Sequence, residues 1–206
     1  MEIGAWGGGG LWVLVKGMLV AFHKPFGILS QFTADGSKHG NLSLFGFPKG
    51  VYPIGRLDAE SEGLLLLSDE GELNARLLLP EHGHCREYWV QVERVPSGEA
   101  LRQLEEGVVI GGRKTLPCVA RLWDPQPMMA PRDPPIRFRK SVVDVWISLE
   151  LNEGKNHQVR RMTAAVGHPT LRLVRVRIGG LRVEPLLAGQ WKVLGGEERA
   201  RVFGGK

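Results

Sequence analysis

The distribution of apolar and polar positions predicts strands that alternate with short helices. Residues 64–67 are four consecutive leucines bounded by turn residues, a pattern typical of a strand covered on both faces. Residues 141–151 alternate instead, which predicts a half-buried strand. Its apolar face contains Val143, Val145, Ile147, Leu149 and Leu151. These two runs predict a sheet with at least one fully interior strand.

Shorter runs extend this picture. Further strands are predicted at residues 18–22, 51–54, 86–93 and 191–194, with a hairpin over 108–116. Residues 124–135 contain five prolines and are predicted to form an extended surface loop. The chain is therefore predicted to form one domain, in which strands are joined by turns and short helices.

Helix signals and chain ends complete the layout. A capping box of Asp69 and Glu72 predicts one helix, residues 97–106 a second, and Asn156 is a natural N-cap for a third. Val159, Met162 and Val166 form the apolar stripe of that third helix. Residues 1–17 include four consecutive glycines and predict a disordered leader or a start codon set too early. The folded domain is then residues 18–195, followed by a tail at 196–206.

Composition narrows the class of protein. The 206 residues are 43% hydrophobic and 24% charged, as in an ordinary globular protein, and no apolar stretch approaches the ~20 residues of a membrane helix. Two cysteines cannot build a disulfide framework, so a reducing cytoplasm is predicted. Residues 81–85, EHGHC, offer potential metal ligands without a partner cluster elsewhere, so no metal site is predicted.

The positive charge is concentrated in one part of the chain. Residues 132–182 contain eleven Lys or Arg and four acidic residues, a net charge of +7, whereas the rest carries −2. A basic region on a nearly neutral chain is the pattern expected for contact with a phosphate backbone. A solvated basic surface would give the same count.

Candidate chemistry centres on Asp58, in a loop between the extended residues 51–54 and the leucine strand. Rigid scaffolds commonly carry catalytic groups on such loops, and Arg56 is a possible charge partner. Two plainer interpretations remain open at this point. Asp58 could form an Asx turn, or be one of three solvated acids with Glu60 and Glu62.

Three strings in this order resemble one known family. Residues 55–69, GRLDAESEGLLLLSD, closely resemble the motif GRLDxxSEGLLLLTNDG of the RsuA-type branch of RNA pseudouridine synthases, departing only at the end. HKPFGILSQ at 23–31 is similar to the family's first motif, with His23 in place of asparagine. EGKNHQVRRM and VGHPTLRLVR resemble the third motif, and RDPPIRFRKS resembles an insertion in a large-subunit rRNA member of this branch.

The resemblance implies an α+β fold, with a mixed, mostly antiparallel sheet, flanking helices and a central catalytic cleft. It implies isomerisation of uridine in RNA without a metal or cofactor. Asp58 would be catalytic, Tyr88 would offer a stacking ring and a hydroxyl, and Arg160 would lie in the active site. The predicted substrate-binding residues are Lys24, Arg56, His157, Arg161, Arg172 and Arg175.

The predicted partner is ribosomal RNA, of the large subunit (23S), bound by a monomer with no membrane association. The family often carries an S4-like RNA-binding domain ahead of the first motif, and seventeen residues cannot hold one, so it is predicted to be missing. Two other functions remain open: a non-catalytic rRNA-binding or assembly module, and a glycosidase that pairs Asp58 with Glu60 or Glu62.

Overall fold

The computed structural model describes residues 17–78, 84–136 and 143–204. The strands are β1 Leu19–Lys24, β2 Ile28–Leu29, β3 Gly40–Asn41, β4 Tyr52–Ile54, β5 Glu62–Ser68, β6 Arg86–Glu93, β7 Val109–Ile110, β8 Arg113–Lys114, β9 Val119–Leu122, β10 Asp144–Leu151, β11 Thr170–Ile178, β12 Leu181–Arg182 and β13 Trp191–Val193. The α-helices are α1 Glu72–Leu78, α2 Gly98–Glu106, α3 Gln158–Ala165 and α4 Gly196–Phe203, and a short 3-10 helix covers Leu42–Phe45.

One nine-stranded sheet organises the chain. Its strand order is β13-β1-β5-β11-β6-β10-β9, with β4 also pairing with β5 and β12 with β11. The β5–β11 pair is parallel and the other pairs in this sheet are antiparallel. The predicted α+β class with a mixed, mostly antiparallel sheet is therefore confirmed.

The leucine strand β5 lies inside the sheet, as predicted, and every one of its residues is buried. Successive side chains point to opposite faces of a strand, so Leu65 and Leu67 enter one apolar core while Leu64 and Leu66 enter the other. The strand predicted at 141–151 is present as β10, but its centre is covered on both faces and not on one only, since Trp146 and Ser148 are buried as well as Ile147 and Leu149. Trp146 on its second face is buried in the second core.

Gly63 allows the backbone of β5 to approach β11 closely at the end of the loop that carries Asp58. Its φ is +104°, and a Cβ at this position would collide with the carbonyl oxygen of Arg175. Glycine is the residue that adopts this conformation without a steric penalty. The close approach brings the loop ahead of β5 beside the strand that contains Arg175.

Two predicted helix starts are wrong. The carboxylate of Asp69 accepts hydrogen bonds from the backbone N–H groups of Gly17 and Met18, at 3.3 and 2.8 Å, and does not cap α1. Helix α3 begins at Gln158, one residue later than a cap at Asn156 predicts. The residue before it is His157, in the left-handed conformation at φ 50° and without a capping hydrogen bond from its side chain.

The ends of the chain complete the fold. Residues 196–203, predicted as part of a tail, form helix α4, and its Val202 is buried in the second core. Arg199 of α4 donates to both carboxylate oxygens of Glu70 and to the carbonyl of Gly17. The leader prediction at 1–17 concerns residues that, apart from Gly17, lie outside the described part of the chain. Among described helices, none is long and apolar enough to cross a membrane.

Candidate active site

The loop between β4 and β5 holds Asp58, and three contacts fix its backbone. The hydroxyl of Ser30 donates to the carbonyl of Leu57 at 2.8 Å and accepts from the N–H of Leu57 at 3.0 Å. Gly27 N–H donates to the carbonyl of Ala59 at 2.7 Å. The residues on either side of Asp58 are therefore held by the segment that follows β1, so the carboxylate projects from a rigid loop.

Lys24 reinforces this arrangement from inside the protein. Its Nζ is buried and donates to the carbonyls of Pro25, Ile28 and Ala59, at 3.0, 2.7 and 3.4 Å. Burial lowers the pKa of Lys24 to about 7, although the nearby carboxylates act in the opposite direction. The predicted substrate contact for Lys24 does not fit, because its three N–H groups are used within the protein. It holds the Asp58 loop against β1.

A cavity of about 770 Å³ opens beside this loop. Asp58, Tyr88 and Arg175 line it, together with Arg56 and His157. The structure thus brings together five of the nine side chains that the sequence analysis predicted for the site. This volume accommodates a nucleotide, since ligand pockets typically span about 300–1,000 Å³.

The side chain of His157 lies beside the Asp58 carboxylate. Its Nδ1 lies 3.5 Å from Oδ2 of Asp58, an ion pair when the imidazole is protonated, and the two side chains are 50% and 35% exposed. The left-handed backbone of His157 is uncommon for a residue with a side chain, and such outliers cluster at functional sites. Arg56, predicted to pair with Asp58, lines the same cavity but forms no ion pair with it in the described structure.

Arg160 acts on the loop that carries Asp58. Its Nη2 donates to the carbonyl of Glu60 at 2.7 Å, and its Nε is buried without a partner in the described residues. Burial lowers the pKa of Arg160, while the nearby carboxylates of Glu60 and Asp58 act in the opposite direction. Arg160 therefore lies close enough to Asp58 to feel its charge, and it fixes the loop two residues further on.

Arg172 and Arg161 lie outside the cavity. Arg172 is buried and binds both oxygens of Glu62 at 2.8 Å, and its Nη1 donates to Ala130 at 2.7 Å. A substrate contact for Arg172 therefore does not fit the structure. Glu62 is unsuited to the glycosidase alternative for the same reason, since its carboxylate is fully engaged. Arg161 is exposed on α3 and stays a predicted RNA contact at the surface.

Arg86 is a cavity residue that the sequence analysis missed. Its side chain is 7% exposed, lines the cavity and donates from Nη2 to the carbonyl of Leu77 at 2.6 Å. It precedes Tyr88 by two positions on β6. The signal that could have found it is its place two positions before Tyr88, since alternate residues of a strand point to the same face.

The described residues contain no group of three or more His, Cys, Asp or Glu side chains arranged to hold a metal ion. The cavity instead combines two carboxylates of one loop, Asp58 and Glu60, with a buried tyrosine and several cations. That combination suits a substrate with an aromatic base and phosphate groups, because the ring stacks on tyrosine and the cations meet the negative charge.

Comparison with known proteins agrees with this geometry. Residues 18–165 match the RNA pseudouridylate synthase family. The chain belongs to this family, whose members are isomerases, and the predicted family and enzyme class are confirmed.

Relatives and solved structures extend the match. Ribosomal large subunit pseudouridine synthase E of Xanthomonas axonopodis pv. citri (strain 306) is 53% identical over 171 residues, covering 82% of this chain and 90% of the relative. The protein of the same name from Vibrio vulnificus (strain CMCP6) is 44% identical over 180 residues, 87% and 76% of the two chains. A crystal structure of a pseudouridylate synthase superimposes with a TM-score of 0.73 at 24% identity, covering 90% of this chain and 73% of its own, which confirms the fold.

Proposed function

We propose that this enzyme converts a uridine of 23S ribosomal RNA to pseudouridine, acting as a cytoplasmic monomer without a metal or cofactor. The observation that carries the proposal is the position of Asp58, on a fixed loop at a cavity that also contains Tyr88. The large-subunit substrate is supported by the names of the two relatives, of which this chain covers 90% and 76%.

The target uridine must leave its stack to reach the cavity. Tyr88 offers a flat surface for the extruded base. The more exposed side chains of Arg56 and His157 line the cavity and contact phosphates, which position RNA without reading its sequence. Arg161 extends that cationic surface along α3. Binding energy from these contacts offsets the loss of base stacking.

Asp58 carries the chemistry. The N1–C1′ bond breaks with its electron pair moving to the uracil ring. Either C1′ bonds to the Asp58 carboxylate, which leaves again when C5 attacks C1′, or the carboxylate removes the C2′ proton and returns it when the C5–C1′ bond forms. The ring turns, C5 bonds to C1′, and the proton lost from C5 is balanced by one gained at N1. Arg160 keeps the loop in position through Glu60, and His157 orients the carboxylate.

Mapping pseudouridine in ribosomal RNA tests the proposal directly. RNA from cells that lack the protein should contain unmodified uridine at one large-subunit position, and the wild-type gene should restore pseudouridine there. A gene encoding Asp58→Asn should not. An unchanged map of large-subunit RNA in the deletion strain would contradict the proposed substrate. Purified protein given either free 23S RNA or assembling subunits would then identify the form on which it acts.

A further inference from the structure

Two buried arginines line the inner part of the cavity beside Tyr88. Arg175 is 5% exposed and Arg86 is 7% exposed. Arg175 is the cross-strand partner of Tyr88 in the β11–β6 pair, and Arg86 lies two residues before Tyr88 on β6. A base that stacks on Tyr88 therefore lies next to two guanidinium groups.

These two cations are not neutralised by hydrogen-bonded carboxylates in the described structure. Arg175 donates from Nε to the carbonyl of Leu64 at 2.8 Å, and Arg86 donates to the carbonyl of Leu77. Nη2 of Arg175 is buried and has no partner among the described residues. Burial lowers the pKa of Arg86; Tyr88 acts in the opposite direction, and the nearby charge of Arg175 acts in the same direction as burial. Unpaired buried charge is costly, so its presence in a binding cavity indicates that negative charge arrives there.

The reaction supplies such a charge. When the N1–C1′ bond breaks, its electron pair moves to N1 and is delocalised onto O2 and O4 of the uracil ring. Positive groups placed in advance around the atoms where charge develops are among the most effective catalytic devices. The phosphates of the target nucleotide contact the more exposed Arg56 and His157, whereas the base enters the deepest part of the cavity.

We propose that Arg175, with Arg86 beside it, stabilises the uracil anion that forms when the N1–C1′ bond breaks. This inference rests on the proposed isomerisation and adds a catalytic role for these residues. The Asp58 carboxylate then acts at the sugar while the arginines act at the base. The negative charge of Asp58 thus acts on the sugar side of the breaking bond, and the positive charges of the arginines act on the base side.

The test compares leaving groups. Target RNA is prepared with either uridine or 5-fluorouridine at the modified position, since fluorine withdraws electron density and makes the ring a more stable anion. Single-turnover rates are followed as loss of the N-linked nucleoside in nuclease digests. Arg175→Gln and Arg86→Gln remove the charges, and Arg177→Gln is the control, because Arg177 lies on the same strand but binds Glu87 and Glu150.

We expect Arg175→Gln to slow conversion of the uridine RNA by about 10²–10³-fold, as for loss of one preorganised donor. The loss should be smaller by at least tenfold with the fluorinated RNA. Arg177→Gln should match the wild type on both RNAs at a temperature where all proteins are folded. If Arg175→Gln does not fold, Arg175→Lys and Arg86→Gln should show the same dependence on the leaving group, with smaller losses.

Other outcomes would overturn the inference. Equal losses on both RNAs would mean that Arg175 supports the fold of the site without acting on the leaving group. Weaker RNA binding with an unchanged single-turnover rate would mean that it contacts a phosphate. Wild-type protein that converts neither RNA would overturn the proposed function itself, which separates that failure from failure of this inference.

Discussion

Strand β11 contains two kinds of arginine. Arg172 binds both oxygens of Glu62, and Arg177 binds Glu87 and Glu150. Arg175 lies between them and lines the candidate active-site cavity. Among the residues that the structure describes, it donates to a backbone carbonyl instead of a carboxylate. Side chains of one type, within six residues of one strand, thus have opposite electrostatic roles.

This difference shows what a count of charges leaves out. The +7 charge of residues 132–182 predicted a surface for RNA, yet part of it is neutralised inside the protein. An arginine that is paired with a carboxylate of the same protein contributes to stability. An arginine without such a partner can act on a ligand. The following predictions test that division, beginning with the largest expected effect.

Asp58→Asn should reduce isomerisation by more than about 10⁴-fold, as expected for loss of an essential catalytic group. The substitution is nearly isosteric and leaves the loop contacts of Leu57 and Ala59 intact. RNA affinity and the melting temperature should therefore change little. Conversion of uridine in ribosomal RNA, measured beside a melting curve, checks this. A well-folded Asp58→Asn protein with substantial activity would mean that the cavity cations act with some other carboxylate.

Arg172→Met should lower the free energy of unfolding by about 3–5 kcal/mol, because it leaves Glu62 charged and buried without its partner. Replacing both residues, Arg172→Met with Glu62→Leu, should recover much of that loss. Denaturant unfolding measures both proteins. Single-turnover rates of the folded fraction should stay close to wild type at low temperature. A large drop in rate without a drop in stability would return Arg172 to the substrate-binding group.

The sequence predicted best those features that depend on local pattern. The four leucines of β5 and the loop that holds Asp58 follow from short-range spacing, so their positions were correct. The burial of Arg172 and Lys24 depends on partners far along the chain, Glu62 and Ala59, which no local pattern reveals.

The left-handed turn at His157 and the helix at 196–203 were missed for related reasons. His157 takes its conformation where its side chain meets Asp58, a residue 99 positions earlier. Helix α4 has few apolar residues, and it is stabilised by the pair between Arg199 and Glu70 and by burial of Val202. Both features arise from tertiary contacts, which override local propensity.

Tyr88→Phe should slow turnover by about tenfold, the scale of one lost hydrogen bond, while RNA affinity is largely retained. The ring that stacks on the base remains, and only the hydroxyl is lost. Tyr52→Phe is the matched control, because Tyr52 is the other tyrosine of the chain and is 67% exposed on β4. Single-turnover rates and binding curves for both variants show whether the Tyr88 hydroxyl contributes to turnover. Equal rates for Tyr88→Phe and the wild type would make Tyr88 a core residue that only lines the cavity.

The smallest effects should appear in the salt dependence of RNA binding. Arg56→Gln, at the cavity, and Arg161→Gln, on the exposed side of α3, should each reduce the slope of log K against log salt by about 1, since each removes one phosphate contact. Arg177→Gln should leave the slope unchanged, because its charge is neutralised by Glu87 and Glu150. Binding titrations between low and moderate salt measure all three.

A reduced slope for Arg177→Gln would break the division between neutralised and available arginines, since a charge paired within the fold would then also release counterions from RNA. A change for Arg56→Gln alone would restrict the RNA contact to the mouth of the cavity. Changes for both Arg56→Gln and Arg161→Gln would extend the contact along α3. In that case the backbone of the RNA on one side of the extruded uridine runs over this helix, and the basic side chains there position the substrate before Asp58 acts.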